Sequence, residues 1–370
     1  MTKPMRVCEF VGNMNGGGVE TVVMNYYRHI DRSKVQFDFV VTEGSTIVPR
    51  EEMEGLGGRV FMVPAYTHLL QFQRANYALF RAHPEWLIVH AHMNALNVFP
   101  LASAAKAGVP VRIAHSHSAS GRGELVRNAI KGFLRTQANR YPTQRFACTE
   151  HAGRWLFGDY PFEVVPNPID FERFRFKSVT RQRVRFEWHL PEGAFAIGHV
   201  GRWATPKNQI FLVDVLKACL DAGMNAYLVL VGDGPDRMLI KGRALKLGVQ
   251  DRMITPGYMD SVDAYSGFDV FTFPSRYEGF GMAVMEAQAS GLLCLISDTV
   301  PYETDLTGNC TFLPINDARV WARVLGELCP NKLTRHIDFD DMAYSKYNSD
   351  KIALWLKQRY IRLYEEARKS

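Results

Sequence analysis

Two carboxylates, Glu278 and Glu286, bracket seven residues in YEGFGMAVMEAQASG. The stretch reads as the start of a helix. FTFPS closes an apolar run, residues 277–281 are loop-like with Gly279 and Gly281, and Met282–Ala289 are helix formers stopped at Gly291. Glu278 then lies beside unpaired helix N–H groups, and Glu286 lies a turn or more inside the helix. Helix N–H groups favour an anion, and carboxylates accept from vicinal hydroxyls. The spacing therefore suits a ligand with phosphate in its middle and hydroxyls at both ends, as in a nucleotide-sugar. Taken alone, the pair reads rather as a helix cap and a solvated face residue, and the neighbouring stretches change that.

Two further stretches supply what such a ligand needs. In GHVGRWATPKNQ, Gly201, Arg202 and Lys207 lie between a strand-like run and a helical one, and two cations there can neutralise a departing diphosphate. In LVLVGDGPD, Gly232 and Gly234 directly follow another apolar run, where missing side chains let a flat base or a backbone come close. In NMNGGGVE, Gly16, Gly17 and Gly18 precede a helical pattern and could offer N–H groups to phosphate, or simply turn the chain. The spacing is not G-x-G-x-x-G, which argues against a dinucleotide cofactor.

These residues must be carried by something large. The chain has 370 residues, 47% of them hydrophobic, enough for two domains and against long disorder. A net charge of +6 suits anionic small molecules or an acidic membrane surface, and is too mild to indicate nucleic acid. The six cysteines are scattered and mostly sit in apolar runs, which reads as free thiols in a reducing compartment. With no signal-like or membrane-spanning stretch, the expected location is cytoplasmic.

Short apolar runs at 6–11, 36–41, 59–63, 86–89, 111–114 and 145–148 alternate with helical patterns. The rhythm restarts at 196–200, 227–231, 270–273, 293–297 and 311–313. This is the pattern of two parallel, doubly wound α/β sheets. The proline-bearing, aperiodic stretch 166–193 reads as the linker. The expected domains are 1–170, 171–350 and a terminal amphipathic helix over 351–370.

Histidines occur in two pairs, VHAHMN at 89–94 and AHSHSAS at 114–120. The members of each pair are placed on opposite faces, and no Cys, Asp or Glu stands beside them, so metal is not expected; His90 and His92 are taken to pack without a ligand. The DFD at 338–340 reads as surface. The stretch 124–140, with Arg127, Lys131, Arg135 and Arg140 among apolar residues, fits either a basic helix facing an anionic membrane, at the inner face, or a helix packed on its own sheet.

Together these stretches resemble the family-4 retaining glycosyltransferases of the GT-B fold. The resemblance rests on NMNGGGVE at 13–20, RIAHSHS at 112–118, VVPNPIDFERF at 164–174, GHVGRWATPKNQ at 198–209, LVGDGPD at 230–236 and the Glu-x7-Glu segment. It is most similar to enzymes that build bacterial exopolysaccharide or capsule. Pro168 departs from the Asn-Gly usual in the linker motif. The resemblance implies two Rossmann-like domains facing across a cleft, the first binding acceptor and the second donor, with the last helix packing back on the first. It makes Arg202 and Lys207 the ligands of the donor diphosphate and Glu286 the ligand of the ribose. Gly201, Gly232 and Gly234 join the donor site. Glu278, with the backbone of Gly279, Phe280 and Gly281, would hold the sugar hydroxyls. His115 is assigned to sugar or acceptor, with His117 second on the acceptor side. The expected partners are a UDP-sugar and a glycan or lipid-linked glycan, with no cofactor and no metal. A nucleotide-sugar epimerase, a phosphorylase-like enzyme and a non-catalytic sugar-nucleotide binder are the rival readings.

Overall fold

In the computed structural model the described residues are 3–117, 132, 134–328, 335 and 346–369. They divide into two compact units, residues 1–169 with 345–370, and residues 170–344.

The first unit is built on a seven-stranded parallel sheet in the order β3-β2-β1-β4-β5-β6-β7. The strands are β1 (Met5–Gly12), β2 (Val35–Thr42), β3 (Arg59–Val63), β4 (Ile88–Ala91), β5 (Val111–Ser116), β6 (Gln144–Ala147) and β7 (Glu163–Val164). Every residue of β2 is buried, as expected of a parallel strand covered on both faces, and its buried Asp38 is paired with Arg6 and Arg59. The C-terminal helix Ser349–Lys369 belongs to this unit and buries Ile352, Leu356, Tyr360 and Leu363. Its Trp355 ring lies 5.6 Å from that of Phe146 on β6, and Arg359 bonds Glu163 on β7.

The second unit carries a six-stranded parallel sheet, β10-β9-β8-β11-β12-β13. Its strands are β8 (Phe195–Val200), β9 (Ala226–Val231), β10 (Met253–Gly257), β11 (Val270–Phe273), β12 (Cys294–Ser297) and β13 (Cys310–Leu313). Its core includes Ile197, Trp203, Leu212, Leu228 and Trp321.

Much of the stretch read as a linker is folded. Ser178–Glu187 is a helix with only Val184 buried, held by charge rather than by an apolar stripe. Arg181 and Arg185 both pair with Asp269 and bond main-chain carbonyls of Gly267 and Phe268. That is why no hydrophobic period marked it. Among the described residues, no helix is long and apolar enough to cross a membrane.

Candidate functional site

In the second sheet the strand order reverses between β8 and β11, and parallel strands send the following loops to one end, where open α/β sheets bind ligands. Gly201, Arg202 and Lys207 follow β8; Glu278 to Gly281 follow β11. The two loops are tied together. The Arg276 N–H donates to the Pro206 carbonyl at 2.8 Å, and the Asn208 amide donates to the Pro274 carbonyl at 3.2 Å. Asn208 holds a left-handed φ of 56°, one of three non-glycine residues with positive φ among the described residues.

Lys207 and Glu278 form an ion pair across these loops, with Glu278 the more buried partner. Their assigned ligands differ, diphosphate for one and sugar for the other, yet without ligand each carries the other's counter-charge. Arg202 is exposed, and its carbonyl accepts a bond of 2.9 Å from the Gln209 amide. The same amide donates to Nε2 of His199, whose Nδ1 donates to the Thr272 carbonyl on β11. Burial lowers His199 to about 4, so it stays neutral and can serve as this bridge.

Gly232 and Gly234 are explained by backbone contact. A Cβ on Gly232 would meet the Gly201 carbonyl oxygen at 2.3 Å, and one on Gly234 the Trp203 carbonyl oxygen at 2.2 Å. These glycines let the loop after β9 nest against the Arg202 loop, so their contribution to a donor site is to shape that loop.

Gly281 caps the helix Met282–Ala289 in the left-handed conformation, φ 73°. Phe280 is buried, and its carbonyl is held by the Thr304 hydroxyl at 2.9 Å, while Gly279 stays partly open. Glu286 lies on this helix, 7% exposed, and its Oε2 accepts from the buried Tyr265 hydroxyl at 2.9 Å. Tyr265 was not singled out from the sequence, because a tyrosine in a short amphipathic helix looks like core until its partner is known.

In the first unit, Gly17 caps a helix beginning at Gly18. The Glu20 carboxylate accepts from the N–H groups of Asn15, at 2.6 Å, and Gly17. One of the N–H groups expected to serve phosphate in the Gly16–Gly18 loop, that of Gly17, is thus already bonded with its neighbour Asn15 to the chain's own carboxylate, a capping box.

The histidines require a correction. Residues two apart on a strand share a face, so each pair points one way, and adjacent strands bring both pairs together. His90 Nε2 lies 3.0 Å from His115 Nδ1, and His92 Nδ1 lies 2.8 Å from His117 Nε2. Glu9 from β1 and Tyr360 from the terminal helix complete the group. Glu9 Oε2 is 2.7 Å from His92 Nε2, and the Tyr360 hydroxyl is 2.8 Å from Glu9 Oε1 and 2.6 Å from His90 Nδ1. The signal for Glu9 was an acid inside the apolar run VCEFV, which a buried strand tolerates only with partners. His115 has no exposed surface and touches other rings, so the direct sugar or acceptor contact assigned to it is not available in this arrangement. His117, just past the end of β5, is 6% exposed; its main-chain N–H donates to the side-chain Oδ1 of Asn94 at 2.7 Å.

His90, His92 and His115 each bring a nitrogen within 4.8 Å of the others, a separation a metal ion could bridge. These three rings spend every nitrogen but His115 Nε2 on hydrogen bonds to protein partners, so the cluster is satisfied as a proton-bonded network. Residues 124–131 and 133 of the basic stretch, and the DFD at 338–340, lie outside the described residues. The described end of that stretch packs inward, with Leu134 and Ala138 in the core and the Arg135 guanidinium 5.3 Å from the Trp155 ring centroid.

Comparison with known proteins gives the family and the fold. The family description "Glycosyl transferase 4-like domain" matches residues 17–168, and "Glycosyl transferases group 1" matches residues 180–311. The Bacillus subtilis (strain 168) protein EpsF, which carries a glycosyltransferase assignment, is 36% identical over 334 residues, covering 86% of each chain. The chain belongs to the GT4-type glycosyltransferases. An Escherichia coli UDP-Gal:alpha-D-GlcNAc-diphosphoundecaprenol alpha-1,3-galactosyltransferase is 22% identical over 301 residues, 76% of each chain. Among solved structures, Anabaena HepE in complex with UDP and glucose superposes with a TM-score of 0.73 at 16% identity, covering 96% of this chain and 99% of that one, a likeness of fold. The glycosyltransferase therefore has the GT-B fold, with its two parallel sheets.

Proposed function

We propose that this glycosyltransferase moves a sugar, with retention of anomeric configuration, from a UDP-sugar to a hydroxyl of a growing, lipid-linked bacterial surface glycan. The observation that carries the reading is the Lys207–Glu278 pair with Arg202 and Glu286, all on loops and a helix following β8 and β11 at one sheet's reversal point, Glu286 being held by Tyr265 of the helix Ser261–Gly267 just before β11.

In this reading Glu286 accepts the ribose hydroxyls, and Glu278 with the Gly279–Gly281 backbone holds the sugar hydroxyls. Arg202, Lys207 and the first N–H groups of the Met282–Ala289 helix receive the diphosphate as its charge grows. Lys207 moves from Glu278 toward that charge, which leaves Glu278 free to accept from the sugar. The acceptor proton passes to the departing phosphate oxygen on the same face, so no protein nucleophile is needed. Positive charge comes from side chains and helix N–H groups, and transfer should survive a chelator. The lipid-linked acceptor and the surface-glycan role are supported by what the E. coli relative's name says of that protein.

The test is a panel of nucleotide-sugars screened for thermal stabilisation and donor hydrolysis, with proton NMR of the linkage formed. Stabilisation by UDP-sugars and a product anomer matching the donor are expected. An inverted product, or activity abolished by chelator and restored by magnesium, would overturn the mechanism.

A further inference from the structure

The network around Glu9 can be read proton by proton. Tyr360 has one hydroxyl proton, which goes to Glu9 Oε1 at 2.8 Å. His90 Nδ1, 2.6 Å from the Tyr360 hydroxyl oxygen, must then be an N–H that donates to that oxygen. His90 Nε2 is left to accept, and receives the Nδ1–H of His115 at 3.0 Å. That leaves His115 Nε2 as a bare lone pair, and it is indeed a buried atom with no partner. Of the groups such a network could orphan, a lone pair is less costly than an N–H.

The second branch runs from Glu9 Oε2 through His92 to His117, and its direction depends on the Glu9 proton. The titratable groups that face the carboxyl are Cys8 on its own strand, Tyr26 on the helix Gly18–His29, Tyr360 on the terminal helix and the histidines of β4 and β5. None is a fixed cation. Burial penalises the carboxylate and pushes Glu9 up to about 8, against the Tyr360 hydrogen bond. A protonated Oε2 donates to His92 Nε2 at 2.7 Å, and His92 then donates from Nδ1 to His117 Nε2 at 2.8 Å. His117 must carry its proton on Nδ1. The neighbouring side chain there is Asn167, whose Oδ1 otherwise lacks a donor, as Nδ1 otherwise lacks an acceptor.

We propose that Glu9, acting through His92, is a positioning residue that fixes His117 as the neutral Nδ1–H tautomer. The acceptor-side histidine then donates its one N–H to Asn167 Oδ1 and has no free lone pair with which to act as a base. This rests on the reading of His117 as an acceptor-side residue, and it agrees with the acceptor proton leaving on the diphosphate.

The experiment is long-range 15N–1H correlation on the full chain labelled with 15N-histidine, at pH 7. The expected spectrum shows a neutral His117 protonated at Nδ1. An Nε2–H tautomer or an imidazolium at His117 overturns the proposal. In Glu9→Gln the amide N–H replaces the acid proton toward His92, so the Nδ1–H signature is kept; its loss there also counts against the proposal. Glu9→Leu removes that donor, and His117 should shift to the Nε2–H form or a mixture, whereas an unchanged signature would show that Glu9 does not set it. The ring spectrum needs no turnover: the predicted tautomer in a protein that transfers no sugar would leave this inference standing and remove the functional reading.

Discussion

The two units repeat one topology and line it with opposite chemistry. Where strand order reverses in the first sheet, between β1 and β4, the side chains are Glu9, four histidines and Tyr360, all buried and bonded to one another. Where it reverses in the second, between β8 and β11, they are Arg202, Lys207, Glu278 and Glu286, with Arg202 exposed, Lys207 and Glu278 paired with each other and Glu286 bonded by Tyr265. The fold supplies the place, and the residues decide whether it becomes a neutral proton-bonded cluster or a site for a charged ligand.

The largest effect should come from acid. His90, His115 and His117 are held well below their ordinary range by burial, and His92 is lowered to about 3. The unfolded chain takes up protons below about 6.5 that the folded one refuses, so each histidine withdraws about 1.4 kcal/mol of stability per pH unit as pH falls. Glu9 works the other way: raised to about 8, its contribution is complete below the unfolded value near 4.5 and is lost as pH rises through 8. Four histidines outweigh one glutamate, so the first unit should weaken steeply below pH 6.5. In the second unit burial lowers His199 to about 4, a single buried histidine among the described residues against four. Hydrogen exchange followed from pH 7 to 5 should show first-unit amides losing protection before second-unit ones; equal loss would mean the cluster is not the acid-sensitive element. Glu9→Gln should also flatten the decline between pH 7 and 8.5.

Next in size are the cations. Arg202→Ala or Lys207→Ala should weaken UDP binding by roughly 1.5 to 3 kcal/mol, the usual range for a hydrogen bond to a charged group, and cut transfer further. Calorimetry with UDP decides it. Unchanged affinity in both variants would remove the phosphate role and leave the two reversal points chemically alike.

This contrast was only half legible in the sequence. Fixed charges in loops after apolar runs stand out, which is why Arg202, Lys207, Glu278 and Glu286 were found from type and spacing. The neutral cluster was hidden for a physical reason. Its members come from β1, β4, β5 and the last helix, His90 and Tyr360 being 270 positions apart, and only sheet register brings them together. The error of putting alternate histidines on opposite faces then removed the one local clue. The two-residue strand β7 and the β10 run MITPG, which carries a proline, were missed because neither holds enough apolar residues to show a period. Gly16–Gly18 illustrates the converse: a loop that looks ready for phosphate already has Glu20 in place.

A smaller effect tests Glu286. Tyr265→Phe removes the hydroxyl that orients its carboxylate, at about 0.5 to 1.5 kcal/mol for one hydrogen bond. A merely structural loss would weaken every nucleotide alike. If Tyr265 serves the ribose contact, the variant should lose UDP affinity while 2′,3′-dideoxy-UDP, which lacks the hydroxyls, binds as it does to wild type. A wild type that fails to distinguish the two nucleotides would count against the ribose role itself.

The smallest effect expected is the most specific, because it asks two carboxylates eight positions apart to behave differently. Glu286→Gln should weaken UDP and UDP-sugar together. Glu278→Gln should leave UDP affinity within about twofold, or raise it, because the variant relieves Lys207 of its counter-charge and leaves the cation free for phosphate. Transfer should nonetheless fall, since the amide is a poorer acceptor for the sugar hydroxyls than a carboxylate. The sign of the change matters more than its size. If Glu278→Gln loosened UDP as much as Glu286→Gln does, the ion pair would be holding Lys207 in position for phosphate, and the division of the donor between the two glutamates would have to be given up.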